Sequence, residues 1–184
     1  MFLFLIYYKY YNRDFRIYSI ERGAVIDLKE RTVCFTEPRK IPSERMETLA
    51  RRLKTILIDL IENGYQFFGA GGALGYDTLA AETVIDLKTS YPHIKLILVL
   101  PCLSQADSWS SHDQEIYEHI KAAADKVVYT SREYSKGCMC KRNRHLVDNS
   151  SACICYLTKK TGGTAYTVEY TKRKNLLVIN AAEK

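Results

Sequence analysis

Six of the chain's nine glycines lie in two short stretches, Gly69-Ala-Gly71-Gly72-Ala-Leu-Gly75-Tyr-Asp77 and Gly162-Gly163-Thr164. A backbone without side chains lets an anion approach and lets peptide N–H groups turn inward. A helix starting just beyond adds about half a positive charge at its N-terminus. Both stretches therefore read as seats for a phosphate or a nucleotide. Neither is a Walker A loop, because no Gly-Lys-Ser/Thr follows, and neither carries a full dinucleotide fingerprint. Tight strand-to-helix turns need glycine for steric reasons alone, so the pair of loops is the signal.

Other residues cluster around these loops in the sequence. Asp77 reads either as the N-cap of the helix it opens or as a partner for ribose hydroxyls. Thr164 and Thr167 open the second helix, where their hydroxyls could cap it or reach a phosphate. Glu169, half a turn further in, reads from its position as a plain solvated carboxylate. Met139-Cys-Lys141-Arg142-Asn143-Arg144, with Asp148, supplies guanidinium groups suited to bidentate phosphate recognition. Arg142 and Arg144 cannot point the same way on one helix, so one is expected to face the cleft and the other to pair on the surface. Gln105 and Trp109, the single tryptophan, read as contacts for a base or as a lid anchor. Ser111-His112-Asp113 has the residue types of a catalytic triad, but adjacent residues cannot form a relay, and a helix start is the better reading. Cys138/Cys140 and Cys153/Cys155 are spaced Cys-x-Cys, tighter than structural zinc prefers, so buried thiols are expected and no metal.

Strands and helices must position these groups. Arg31–Thr36 is a short β-branched and aromatic run. Ser43 looks like an N-cap, and Met46, Leu49, Leu53, Ile56/Leu57 and Leu60/Ile61 then mark one helical face up to a stop at Gly64. Tyr65–Phe68 reads as a strand and about Asp77 to Ser90 as a helix. Ile94–Leu100 is a continuous apolar strand of the kind buried on both faces of a parallel sheet. A helix from about Ser111 to Ala124, strand Lys126–Thr130, a helix around Lys141–Asn149, strand Ala152–Leu157, a helix from about Ala165 to Arg173 and strand Leu176–Ile179 follow. Six strands alternating with five helices predict an α/β fold: a Rossmann-like, doubly wound, mostly parallel sheet with helices on both faces. Ligands of such sheets bind beyond the carboxyl ends of the strands, where the strand order reverses.

The 184 residues suit one domain over 31–184, with residues 1–30 as an aromatic-rich extension. That extension, with eight aromatics between Phe2 and Tyr18, reads as an extra hairpin, a docking segment or an over-extended gene start. The apolar run Met1–Tyr8 is too short to span a membrane and lacks the flanks of a signal peptide, so a cytoplasmic protein without membrane contact is expected. The net charge of +6 is dispersed along the chain. Nucleic acid is therefore not expected as a partner, whereas a nucleotide-type small molecule is; homo-oligomer formation stays open and no cofactor is implied.

Taken in order, Cys34-Phe-Thr36, Gly71-Gly-Ala-Leu-Gly-Tyr-Asp77 with Ala80-Ala-Glu82, Leu100-Pro-Cys with Gln105 and Trp109, Lys141-Arg-Asn-Arg144 with Val147-Asp148, and Gly162-Gly-Thr-Ala-Tyr-Thr167 resemble the YpsA-like (DUF1273) proteins of the SLOG superfamily. The resemblance spans about Thr32 to Ala181 and implies a Rossmann-like fold with a pocket for a nucleotide or nucleotide derivative, in a sensor role. The chain departs from the family's Cys-Phe-Thr-Gly-His-Arg pattern, with Glu37 and Pro38 at the Gly and His positions. The superfamily also holds the LOG-like phosphoribohydrolases, and Met139-x-x-Arg142 and the Gly162-Gly163 to Glu169 spacing are similar to theirs. That likeness implies a second reading, N-glycosidic bond cleavage with Arg142 orienting the sugar-phosphate and Glu169 stabilising the cationic sugar or activating water. The Rossmann domain of DprA, another superfamily member, implies a third, single-stranded DNA binding.

Overall fold

The computed structural model describes residues 6–11, 14–21, 24–36 and 41–182. Near the N-terminus, β1 (Ile6–Tyr11), β2 (Asp14–Glu21) and β3 (Ala24–Asp27) form an antiparallel sheet in the order β1-β2-β3. Tyr8 pairs with Ile17 and Ser19 with Ile26, so these strands form a meander, one strand more than the hairpin that is one of the three readings of the extension. A 3₁₀ turn, Leu28–Arg31, leads out of it.

The main sheet follows the predicted alternation. Its strands are β4 (Thr32–Thr36), β5 (Phe67–Ala70), β6 (Lys95–Leu100), β7 (Lys126–Tyr129), β8 (Ala152–Cys155) and β9 (Leu177–Asn180). They pair in parallel in the order β7-β6-β5-β4-β8-β9. The helices are α1 (Ser43–Glu62), α2 (Tyr76–Leu87), α3 (Ser111–Ala123), α4 (Cys138–Asp148) and α5 (Gly163–Arg173). Right-handed crossovers place α1, α2 and α3 on one face, where α2 packs against both others, and α4 with α5 on the other. The strand order reverses between β4 and β8, which puts the ligand crevice of such folds above their carboxyl ends.

The apolar patterns account for the core. Leu96, Leu98 and Leu100 of β6 are fully buried and Val99 nearly so, which is the two-sided burial expected of an inner parallel strand. Leu49, Leu53, Leu57 and Leu60 form the buried stripe of α1. Each such side chain contributes about 1.5–3 kcal/mol by leaving water. Cys34 and Cys153 are register partners on β4 and β8, and both are buried free thiols. Cys153 is held well above the ordinary thiol pKa by its hydrogen bond with Cys34 and then by burial.

At the amino end of β6, Asp125 accepts hydrogen bonds from the Leu96 N–H (2.9 Å), Lys88 Nζ (2.7 Å) and Lys95 Nζ (3.0 Å). Partial burial pushes its carboxyl pKa up, but these donors outweigh that and the value is lowered. Boundaries shift by a few residues from the sequence reading. Ser43 is the first residue of α1 and not its cap, because Pro42 takes the N-cap position. α4 starts three residues earlier than expected, behind Gly137.

Candidate functional site

The loop between β5 and α2 is organised by a helix from the other face of the sheet. α4 crosses over the middle strands, and its inward residues Arg142 and Leu146 ride on β5. A Cβ on Gly69 would stand 2.9 Å from Leu146 Cδ2, and one on Gly71 would stand 1.4 Å from Arg142 Nη1. The spacing follows from element geometry. Four residues of helix rise about 6 Å, two residues of strand advance about 6.6 Å, and glycines two apart face the same side. Gly69 and Gly71 are thus a track on which α4 lies close to the sheet.

Arg142 ends this track in a buried ion pair. Its Nη1 lies 3.4 Å from Asp77 Oδ2, with the two side chains only 8% and 3% exposed. The same Oδ2 accepts the Ala73 N–H at 3.0 Å. Asp77 is the second residue of α2, so it is not the N-cap; Gly75 is, and no side chain caps this helix. From the opposite side, Gln105 Nε2 donates to Gly72 O at 2.7 Å and to Gly71 O at 3.4 Å. Carbonyl and N–H of one peptide point in opposite directions, so Gln105 and Asp77 clamp the Gly72–Ala73 peptide from its two edges. Gly72 has φ +64°, and a Cβ there would meet Leu100 Cδ2 at 2.6 Å, so glycine is required twice over. Gln105 Oε1 and Arg142 Nε are buried and have no hydrogen-bond partner.

The loop between β8 and α5 is built differently. α5 has Gly162 as N-cap, no side-chain cap and no acidic residue in its first turn. A Cβ at Gly162 or Gly163 would meet nothing within 4 Å, and Lys159 and Lys160 are exposed just before it. Thr164 is half-buried at this start. Thr167 Oγ1 donates to Gly163 O at 2.9 Å and accepts from Asn143 Nδ2 at 3.2 Å. α4 thereby reaches both glycine loops with consecutive residues, Arg142 to the first and Asn143 to the second. The sequence displays Asn143 only as part of the Lys-Arg-Asn-Arg run. Its position beside Arg142 on α4 was the available signal.

The two arginines divide as their spacing requires. Arg142 is inward, whereas Arg144 is exposed, donates to Tyr166 Oη and lies over the rings of Tyr166 and Tyr170. Glu169 is not brought to Arg142. Its side chain is 64% exposed and pairs with Lys172 Nζ at 3.3 Å on the outer side of α5, because the residues that pack inward are Ala165, Thr167, Val168 and Thr171. Trp109 is half-buried and meets Tyr117 edge-on, with ring centroids 5.4 Å apart, an anchor for the start of α3. The Tyr117 phenol is held well above its ordinary pKa, chiefly by burial and then by Tyr129 and Glu118, so it stays neutral. Glu37 and Pro38 lie outside the described residues. A hollow of about 490 Å³ between α1, α2 and α3 is lined by Lys54, Leu79, Glu82 and His119 among others, and none of the residues expected to bind or catalyse lines it.

Comparison with known proteins agrees with this architecture. The family model described as the YspA SLOG family matches residues 40–178. A UPF0398 protein of Bacillus cereus is 33% identical over 132 residues, covering 70% of this chain and 72% of the relative. One from Bacillus thuringiensis is 32% identical over the same length, with the same coverage. Among solved structures, DNA processing protein A (DprA) of Streptococcus pneumoniae superposes with TM-score 0.61 at 17% identity, over 82% of this chain and 50% of that one. The chain therefore spans about half the length of that protein. DprA of Helicobacter pylori, described by its unique single-stranded DNA binding mode, superposes with TM-score 0.60 at 15% identity, over 96% of this chain and 80% of that one.

The likeness to the two DprA proteins, one of them described by its single-stranded DNA binding mode, runs against the expectation that nucleic acid is not a partner. That expectation rested on basic residues being dispersed along the sequence. Arg132, Lys136 and Lys141 after β7, and Lys159 and Lys160 after β8, are all exposed at the carboxyl end of one sheet. Among the described residues, no helix is long and apolar enough to cross a membrane. With three-quarters of its length matched by the family model and 33% identity over 132 residues to a curated relative, the chain belongs to the YpsA family of SLOG proteins.

Proposed function

We propose that the chain binds a nucleotide or nucleotide derivative at the carboxyl edge of the main sheet, as a cytoplasmic sensor, with a phosphate seated on the first turn of α5. The observation that carries this reading is the contrast between the two glycine loops. The loop after β5 has its Ala73 N–H taken by Asp77 and its carbonyls taken by Gln105. The start of α5 is open, uncapped and free of acidic side chains, with Lys159 and Lys160 nearby. Its orphan N–H groups and dipole favour an anion. Catalytic cleavage of a glycosidic bond has less support, since Glu169 is turned outward.

Thermal melts of the full chain with AMP, ADP, ADP-ribose and NAD test the reading. A ligand at 100 times its Kd stabilises by about 2.7 kcal/mol, which for a chain of this size raises Tm by about 5–11 °C. No shift with any of the four at millimolar concentration would refute it. A second reading, single-stranded DNA binding, is favoured by one observation: Tyr134, 69% exposed, lies between exposed Arg132 and Lys136 on the rim. Exposed rings among cations suit stacked bases and a phosphate backbone. Anisotropy of a labelled oligo-dT should then rise on binding and fall with added salt; no change at low salt would remove this reading.

A further inference from the structure

We propose that the outer faces of the two helical layers bind each other, so that the chain associates head to tail with further copies of itself. The charge of the helices is divided between the layers. α2 and α3 carry six carboxylates against one cation, Lys121. α4 and α5 carry five cations against two carboxylates, Asp148 and Glu169. The buried pair of Arg142 with Asp77 spends only one charge from each side. Glu82, Asp86 and Glu115 stay exposed on one face, and Lys141, Arg144 and Arg173 on the other.

Each layer also carries a shape that suits the other. On the basic layer, Arg144 and Tyr166 form a knob. Arg144 is exposed, donates to Tyr166 Oη and lies 5.7 Å above the centre of its ring, and Tyr166 is 42% exposed. The partners of this guanidinium are Tyr166 and Tyr170, and among the described residues no carboxylate pairs with it. On the acidic layer, the hollow of about 490 Å³ lies where α2 meets α1 and α3. Glu82 and Asp86, about one turn apart on α2, line it with His119 of α3 and the apolar side chains of Leu79 and Ile85. Arg51 and Lys54 line its α1 side, and Arg51 is already held by Glu47 at 4.0 Å. A tyrosine ring with a guanidinium stacked on it is the type of anchor that dominates interfaces. The hollow offers that anchor an apolar lining and two carboxylates.

A two-fold contact would set one of these faces against itself and oppose like charges, so the contact joins unlike faces. They lie on opposite sides of the sheet, and copies therefore add in a line without a closed end point. Charge steers and orients such a contact more than it tightens it, which makes the association weak and sensitive to salt.

Sedimentation velocity of the full chain tests this. At about 0.02 M salt the weight-average sedimentation coefficient should rise steadily with protein concentration. At about 1 M salt, where the Debye length is about 3 Å, it should fall to the monomer value. Arg144→Ala removes the knob, and Glu82→Gln with Asp86→Asn neutralises the hollow; all three positions are exposed, and melting curves confirm that the variants fold. Each variant alone should lose at least about tenfold in association constant. Mixed together, the two keep one intact face each, so the mixture should regain the wild-type constant and stop at one-to-one pairs. Structural damage would not be rescued by mixing. A wild-type chain that stays monomeric at low salt or stops at two copies would overturn the proposal. So would variants that associate as wild type does, or a mixture that shows no rescue.

Discussion

Replacing Gly71 by alanine is the sharpest perturbation of the loop architecture. The new Cβ would fall 1.4 Å from Arg142 Nη1, 2.2 Å from Cζ and 2.7 Å from Asp77 Oδ2. The obstacle is the tip of a long side chain, so the cost is not the clash itself but eviction of the guanidinium from its buried pair. Removing one partner of a buried pair costs about 3–5 kcal/mol. Here Arg142 can carry its charge outward, and Asp77 keeps the Ala73 N–H, so the loss should be about 2–3 kcal/mol. At about 2–4 °C per kcal/mol for a chain of this length, Tm should drop by about 4–12 °C, as read by circular dichroism and urea titration. In an Arg142→Ala background the same substitution has space, and its cost should fall below about 1 kcal/mol. A Gly71→Ala protein that melts within about 1 °C of wild type would refute the packing of α4 on β5 described above.

Other substitutions separate stability from binding. Gly72→Ala forces a left-handed backbone on a residue with a Cβ and drives it against Leu100; urea unfolding should show a loss of at least about 1–2 kcal/mol, which makes position 72 a poor probe of ligand contact. Asp125 has a folded pKa below its unfolded value, so its stabilising effect is present above the unfolded pKa of about 3.9 and is lost as pH falls through the folded value. Asp125→Asn should lower Tm at neutral pH and flatten the acid limb of a Tm-against-pH curve. An equally steep acid limb in the variant would show that the Lys88 and Lys95 contacts do not set it. Glu169→Gln disturbs only an exposed pair and should change stability by less than about 0.5 kcal/mol in the same urea assay.

The fold was readable because its signals are local. Leucines three and four apart in α1 and the unbroken apolar run of β6 announce their elements without knowledge of the partners. The two glycine loops were readable for the same reason, as was the inward and outward division of Arg142 and Arg144. What the sequence could not disclose is how the loops differ, because that depends on contacts across 65 residues from Arg142 to Asp77 and 33 from Gln105 to Gly72. The first exists because α4 crosses back over the sheet between β7 and β8, and the second because β5 and β6 are neighbours whose following loops meet. Glu169 shows the converse. Its distance from Gly162-Gly163 fits a catalytic spacing, but the helical phase set by Ala165, Val168 and Thr171 turns it outward. Asp77 looked like a cap for its own helix and instead holds the loop before it.

The central claim is that the start of α5 is the anion seat, and Gly163→Val tests it most directly. A Cβ there meets nothing within 4 Å, and a residue other than glycine within a helix costs no stability, so the variant should melt no lower than wild type. By calorimetry it should lose at least about tenfold in ADP affinity, or about 1.4 kcal/mol, because the side chain occupies the space before the helix N-terminus. Wild-type ADP affinity in a folded Gly163→Val protein would contradict the account.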